Sequence, residues 1–133
     1  MGYAAPALED RFGAMASAII LGLVWGALHV VPDLQGGRSL EWIIWQRAVY
    51  DVALRILIVW LYNNTGRSVL AAIACHDTDN VSVNLFPING SHYDAAVTGT
   101  ITAIVAIIVT ARWGPRTLAA RGPRLCRLLS SDS

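Results

Sequence analysis

Four apolar stretches alternate with short polar breaks along this chain. Residues 14–31 hold no charge and reach the ~18-residue length of a membrane-span candidate. Pro32, Asp33, Gly36 and Gly37 then predict a loop. Residues 41–62 form a second stretch, with Trp42, Trp45 and Tyr50 near its start and Trp60 and Tyr62 at its end, as interfacial belts would place them. The break at 63–67 carries Gly66 as a helix stop, and Ser68 is positioned to cap a third stretch over 69–86. Pro87, Asn89 and Gly90 predict the next loop. The fourth stretch, 93–113, has Gly99, Ala103 and Ala106 as small residues that would let a neighbouring helix come close. Ahead of all four, Pro6 suits the first turn of a short helix that Gly13 would end.

These periods predict an all-α fold, a polytopic membrane bundle of about four transmembrane helices. Composition agrees. Charged residues make up 14% of the chain, where a soluble domain carries about 25%. The expected division is a membrane domain over 1–113 and an Arg-rich cytoplasmic tail over 114–133. Arg112, Arg116, Arg121, Arg124 and Arg127 beside the last stretch place that end in the cytoplasm, and an even span count puts the N-terminus there too. The expected location is integral and multi-pass, in a bacterial plasma membrane, with both termini cytoplasmic. A net charge of +1 gives no support for a nucleic-acid partner. The start lacks a basic n-region and does not read as a secretory signal. Cys75 lies in an apolar stretch and Cys126 in the tail, so a disulfide between them is not expected.

Two stretches carry polar residues that a membrane-length helix does not accept without a reason. In the third, His76, Asp77, Thr78, Asp79 and Asn80 stand in a row. His76 and Asn80, four apart, share a helical face; Asp79 lies beside it, and Asp77 is turned about 100° away. In the first, Trp25 and His29 likewise share a face. Two imidazoles from two helices suit a metal or a hydrolytic water, and an Asn amide suits an oxyanion. On spacing alone each histidine also fits a packing role, and His92 fits a solvated loop. In the second stretch Arg47, Asp51 and Arg55 recur every four residues, either as a mutually neutralised stripe or as the lining of a hydrophilic cavity.

The order of these features resembles the CPBP family, named for CAAX proteases and bacteriocin-processing enzymes and also called Abi. The opening G-Y-A-A-P-A-L-E-D-R-F-G-A-M-A-S-A-I-I resembles the stretch after that family's first motif. Trp25-Gly26-Ala27-Leu28-His29 resembles its second motif, an aromatic followed by x-x-x-H. The turn at 60–68 resembles the one ahead of its third, and His76-Asp77-Thr78-Asp79-Asn80 resembles the third motif, H-x-x-x-N. The resemblance implies an all-helical intramembrane endopeptidase, with His29, His76 and Asn80 as catalytic residues. His29 and His76 would hold a divalent metal such as zinc, or a water, and Asn80 would bind the oxyanion. The implied partners are membrane lipid and a peptide or membrane-protein substrate, prenylated in some members.

The family's first motif, E-E-x-x-x-R, which carries its general base, does not occur in these residues. The chain thus reads as an N-terminally shortened member, catalytically incomplete on its own. Asp77 and Asp79 stand where the family keeps apolar or small residues. Two alternatives follow: a non-catalytic membrane scaffold or bacteriocin-immunity-type interaction protein, and a small transporter subunit using Arg47, Asp51, Asp77 and Asp79 as an ion path.

Overall fold

The computed structural model describes the backbone of residues 4–85 and 93–120, and every regular element among them is helical. Helix α1 (Ala4–Phe12) is followed at once by α2 (Ala14–Gln35), the two joined at Gly13, whose φ of +84° only glycine adopts without strain. Next come α3 (Leu40–Ile43), a seven-residue π-helical segment (Ile44–Tyr50) and α4 (Asp51–Asn64), which run on from one another as a single rod over 40–64. Helices α5 (Val69–Leu85) and α6 (Ala95–Trp113) complete the set. His92, Cys126 and the Arg121–Arg127 part of the tail lie outside the described residues.

The rod over 40–64 is central. Helices α2, α5 and α6 each pack against it, and the largest buried cluster draws Ala14 and Ala18 from α2, Ala53, Ile56 and Val59 from α4, and Ala106 from α6. A second cluster joins Ile58 and Tyr62 of α4 to Ala72 of α5. What brings α2 so close is a stripe of small residues at intervals of four, Ala14, Ala18, Gly22 and Gly26, all buried. A Cβ built on Gly22 would sit 2.9 Å from the Val52 Cα, and one on Gly26 would sit 2.9 Å from the Arg47 carbonyl oxygen. On the other side of the rod, Gly99 meets the Trp45 carbonyl oxygen in the same way at 3.3 Å, as the small residues of the fourth stretch predict.

Among the described residues, two helices are long and apolar enough to cross a membrane: α2 and α6. Their apolar windows are 28% and 22% buried, which is not how the core helix of a soluble domain sits. Leu23, Val24, Leu28 and Val31 of α2, and Ile101, Ile104, Ile107 and Ile108 of α6, are exposed large apolar side chains that water would disfavour and lipid would not. The rod and α5 do not meet the same test.

The predicted caps form where expected. Ser68 Oγ accepts from the Ala71 amide, and Arg67 and Gly66 both take positive φ in the turn before it. One boundary differs from expectation. Pro32 and Asp33 are helical, and α2 ends only at Gly36. Proline forfeits one intrahelical hydrogen bond, but the extra turn places Asp33 against Arg47, a tertiary gain that local sequence does not show.

After α6 the chain turns back on itself. The amides of Ala14 and Met15 donate to the carbonyl oxygens of Arg116 and Pro115. Asn63 and Asn64 at the end of α4 donate to the carbonyl oxygens of Thr117 and Leu118, and Asn64 Oδ1 accepts from the Ala120 amide. Leu118 is fully buried. Asn63 also donates to Glu9, whose carboxyl is held above the usual carboxylate range because burial outweighs the pull of Asn63 and Arg67.

Candidate functional site

A cleft of about 290 Å³ opens between α2, the rod and α5. His29 and Trp25 line it from α2, Gln46, Arg47, Tyr50, Asp51 and Arg55 from the rod, and His76, Asp79 and Asn80 from α5. The two helices that carry the polar interruptions therefore meet across one space. Their register follows from packing. The glycine stripe seats α2 on the rod, and Ala72, one turn before His76, anchors α5 on Ile58 and Tyr62.

The histidines are held differently. His29 Nδ1 donates to the Trp25 carbonyl oxygen one turn back, at 2.9 Å. That bond fixes the proton on Nδ1 and leaves the Nε2 lone pair available. His76 Nδ1 is buried and has no hydrogen-bond partner among the described residues. Trp25 separates and aligns the two rings. Its centroid lies 5.0 Å from that of His29 and 5.5 Å from that of His76, which it meets edge to face. Asn80 lines the same cleft from the face it shares with His76.

The carboxylates around the cleft are already engaged. Arg47 donates through Nε and a terminal nitrogen to both oxygens of Asp33, at 2.7 and 3.0 Å, and through its other terminal nitrogen to Asp51 at 3.1 Å. Asp51 is buried. Asp79 accepts the hydroxyl proton of Tyr50 across the interface between α5 and the rod. Asp77 is exposed and does not line the cleft, as its 100° offset implies. The Arg47–Asp51–Arg55 stripe thus lines a hydrophilic cavity, and only its first two members pair: Arg55 reaches neither Asp51 nor any other carboxylate among the described residues.

No group of three or more His, Cys, Asp or Glu side chains among the described residues is placed to hold a metal ion. Two imidazoles are one ligand short of the three that a catalytic zinc site draws from protein. The described residues therefore do not by themselves make up a complete metal centre.

Several contributors escape a sequence reading. Asp33 sits in a predicted loop yet anchors Arg47. Tyr50 looks like an interfacial aromatic yet is buried against Asp79. Gln46, which is buried, accepts from the Tyr93 hydroxyl at 2.6 Å. The π-helical segment that aims Gln46, Arg47 and Tyr50 inward has no signature in its residue types; such segments are frequent at functional sites. The four-residue spacing of the small residues at 14, 18, 22 and 26 is the signal from which the close approach of α2 to the rod could have been found.

No curated protein and no solved structure matches the chain. The model of one family does, that of the type II CAAX prenyl endopeptidases described as Rce1-like, over residues 1–82. The matched stretch runs from α1 through the histidine-bearing part of α5, and so takes in His29, His76 and Asn80. It covers more than half of the sequence, and the two membrane-capable helices among the described residues, α2 inside the matched stretch and α6 after it, fit a membrane setting. The chain belongs to this CAAX-protease-like family of integral membrane proteins.

Proposed function

We propose that the chain is an intramembrane endopeptidase that hydrolyses peptide bonds with a water held between His29 and His76. The observation that carries the reading is the pair of imidazoles facing one cleft around Trp25, one with its proton fixed on Nδ1 and the other with an Nδ1 that has no hydrogen-bond partner among the described residues. In this reading the water gives its proton to the His29 Nε2 while its oxygen attacks the carbonyl carbon of the substrate. The Asn80 amide donates to the oxyanion that forms. Collapse of the tetrahedral intermediate breaks the C–N bond, and the imidazolium returns its proton to the leaving amine. A prenylated peptide is the substrate class that the family's description suggests. A divalent metal such as zinc is the alternative occupant between the histidines, where it would supply Lewis-acid activation.

The bundle is proposed to be multi-pass, with about four spans in a bacterial plasma membrane and both termini cytoplasmic. The Arg-rich end after α6 supports that orientation.

Cleavage of a prenylated peptide by the purified chain in lipid nanodiscs tests the enzymatic reading. His29→Ala and His76→Ala are each expected to abolish turnover, and Asn80→Ala to lower kcat by about a hundredfold. Cleavage that persists in the double histidine variant would sink the proposal, and EDTA added to the active protein separates metal from water chemistry.

A second reading has its own support. Asp51 and Asp79, the carboxylates in the cleft, are both already bonded, to Arg47 and Tyr50, so neither stands free as a general base. This favours a non-catalytic scaffold that keeps the fold and binds a membrane partner. A cellular phenotype that survives both histidine changes would select it.

A further inference from the structure

A second polar cleft, of about 320 Å³, lies at the far end of the rod. Glu9 and Asp10 line it from α1, Asn63 and Arg67 from the end of α4 and the turn after it, and Arg116 and Thr117 from the segment after α6. The Glu9 side chain is 7% exposed. Its Oε2 accepts from Asn63 Nδ2 at 3.3 Å, but its Oε1 is buried with no hydrogen-bond partner among the described residues. The same holds for Asn63 Oδ1. Two side chains already bonded to each other thus each leave a buried acceptor without a donor, a costly arrangement that an ionised carboxylate cannot repair.

One proton removes both deficits. A neutral carboxylic acid and a primary amide each carry one donor and one acceptor side by side, so they can exchange two hydrogen bonds in a ring. A proton on Glu9 Oε1 is donated to Asn63 Oδ1, while Asn63 Nδ2 keeps Oε2. The charges around Glu9 do not prevent this. Arg67 stands 3.9 Å from Oε2, the oxygen that Asn63 already uses, and is 57% exposed, so water screens it. Arg116 and Asp10 line the cleft from exposed positions with opposite signs. Residues 14–23 of α2 carry no titratable group. Burial therefore decides, and it favours the neutral acid.

The pair holds a strap. Asn63 Nδ2 also donates to the Thr117 carbonyl oxygen, and Asn64 holds Leu118 and Ala120 beside it. Leu118 is fully buried at a φ of +45°, a left-handed conformation that a leucine disfavours, four residues after Gly114 at +82°. The strap is thus docked against backbone strain and hinged at a glycine. We propose that Glu9 is a proton-operated latch: protonated, it pairs with Asn63 and holds residues 115–120 on the bundle, and ionised, it lets them go. In the proposed topology the proton comes from the cytoplasmic side. The inference is independent of the peptidase reading. Its sign is fixed, because the docked carboxyl binds the proton more tightly than the released one. Docking is complete below the ordinary glutamate range and weakens as pH rises to the docked carboxyl's own midpoint.

Glu9 and Glu41 are the only glutamates in the sequence. The full chain, isotope-labelled at glutamate and held in phosphatidylcholine nanodiscs, therefore gives two side-chain carboxyl NMR signals, and Glu9→Gln identifies its own by loss. The Glu9 signal is expected to titrate above the usual carboxylate range and to fall back toward it in Asn63→Leu. Docking is read by amide hydrogen exchange over 117–120, taken as the ratio of the parent to Glu9→Gln at each pH, which cancels the intrinsic pH dependence of exchange. Glutamine keeps the ring of two bonds with no proton to lose, so Glu9→Gln should fold and stay protected throughout. The two chains should exchange alike at acid pH. The parent is then expected to open by up to about tenfold more per pH unit as Glu9 ionises, and to level off above its midpoint. A Glu9 carboxyl that titrates in the ordinary range overturns the proposal, as does an exchange ratio that ignores pH. So does a Glu9→Gln chain that is unfolded, or less protected than the parent at acid pH.

Discussion

Arg47 shows how the polar residues of this bundle tolerate burial. Its guanidinium is largely enclosed and meets two carboxylates, one on α2 and one on its own helix. Removing one member of a buried ion pair is worse than never having had it, because the partner is left charged without compensation. Arg47→Met is therefore expected to destabilise the folded protein by about 3–5 kcal/mol, read as a shift in the denaturant midpoint in detergent. Asp33→Asn should cost less, since Arg47 keeps Asp51. An Arg47→Met effect no larger than that of Asp33→Asn would show that the triad carries little of the stability. The histidines illustrate the same logic at lower charge: His29 is oriented by its own helix through the Trp25 carbonyl, whereas His76 keeps a buried nitrogen in reserve.

At the level of elements, the decisive contact is between α2 and the rod over 40–64. Helices in lipid gain little from hydrophobic exclusion and associate through close packing, so the glycines that permit backbone approach set the geometry. Gly22→Ala puts a Cβ 2.9 Å from the Val52 Cα, an atom that cannot swing aside. Such overpacking is expected to cost about 1–3 kcal/mol and to reduce any turnover with it, because α2 carries His29. Gly99→Ala, whose nearest neighbour would stand at 3.3 Å, is expected to be milder in the same unfolding assay. Equal stability of Gly22→Ala and the parent would mean that the two helices are not in fact locked by this contact. The π-helical segment acts with the glycines: by widening the helix for seven residues it turns Gln46, Arg47 and Tyr50 toward the cleft.

For the whole molecule, the ends of the helices and the segment after α6 are tied together on one side. Asn63 and Asn64 hold residues 117–120, while Ala14 and Met15 hold 115–116. The arginines next to that segment make this the cytoplasmic side in the proposed topology. A Cys75→Ser variant leaves Cys126 as its one thiol. A membrane-impermeant maleimide added to intact bacterial cells is expected not to label it, and to label it after lysis. Labelling of intact cells would reverse the assigned orientation.

The sequence alone determined the helical class, where the helices stop apart from the end of α2, and the faces that His29, His76 and Asn80 occupy. Those follow from local physics: apolar period, cap residues and the 3.6-residue turn. The W-x-x-x-H and H-x-x-x-N spacings were legible for the same reason, since residues four apart meet on one helix whatever surrounds it. Which helices face each other was decided only by the tertiary structure. Asp33 left its predicted loop because Arg47 lies across from it, and Tyr50 left the interface for Asp79. The Asp33–Arg47 and Tyr50–Asp79 pairings join residues 14 and 29 positions apart, and no local pattern encodes them. They arise from how closely two backbones approach, which here was set by two glycines on α2.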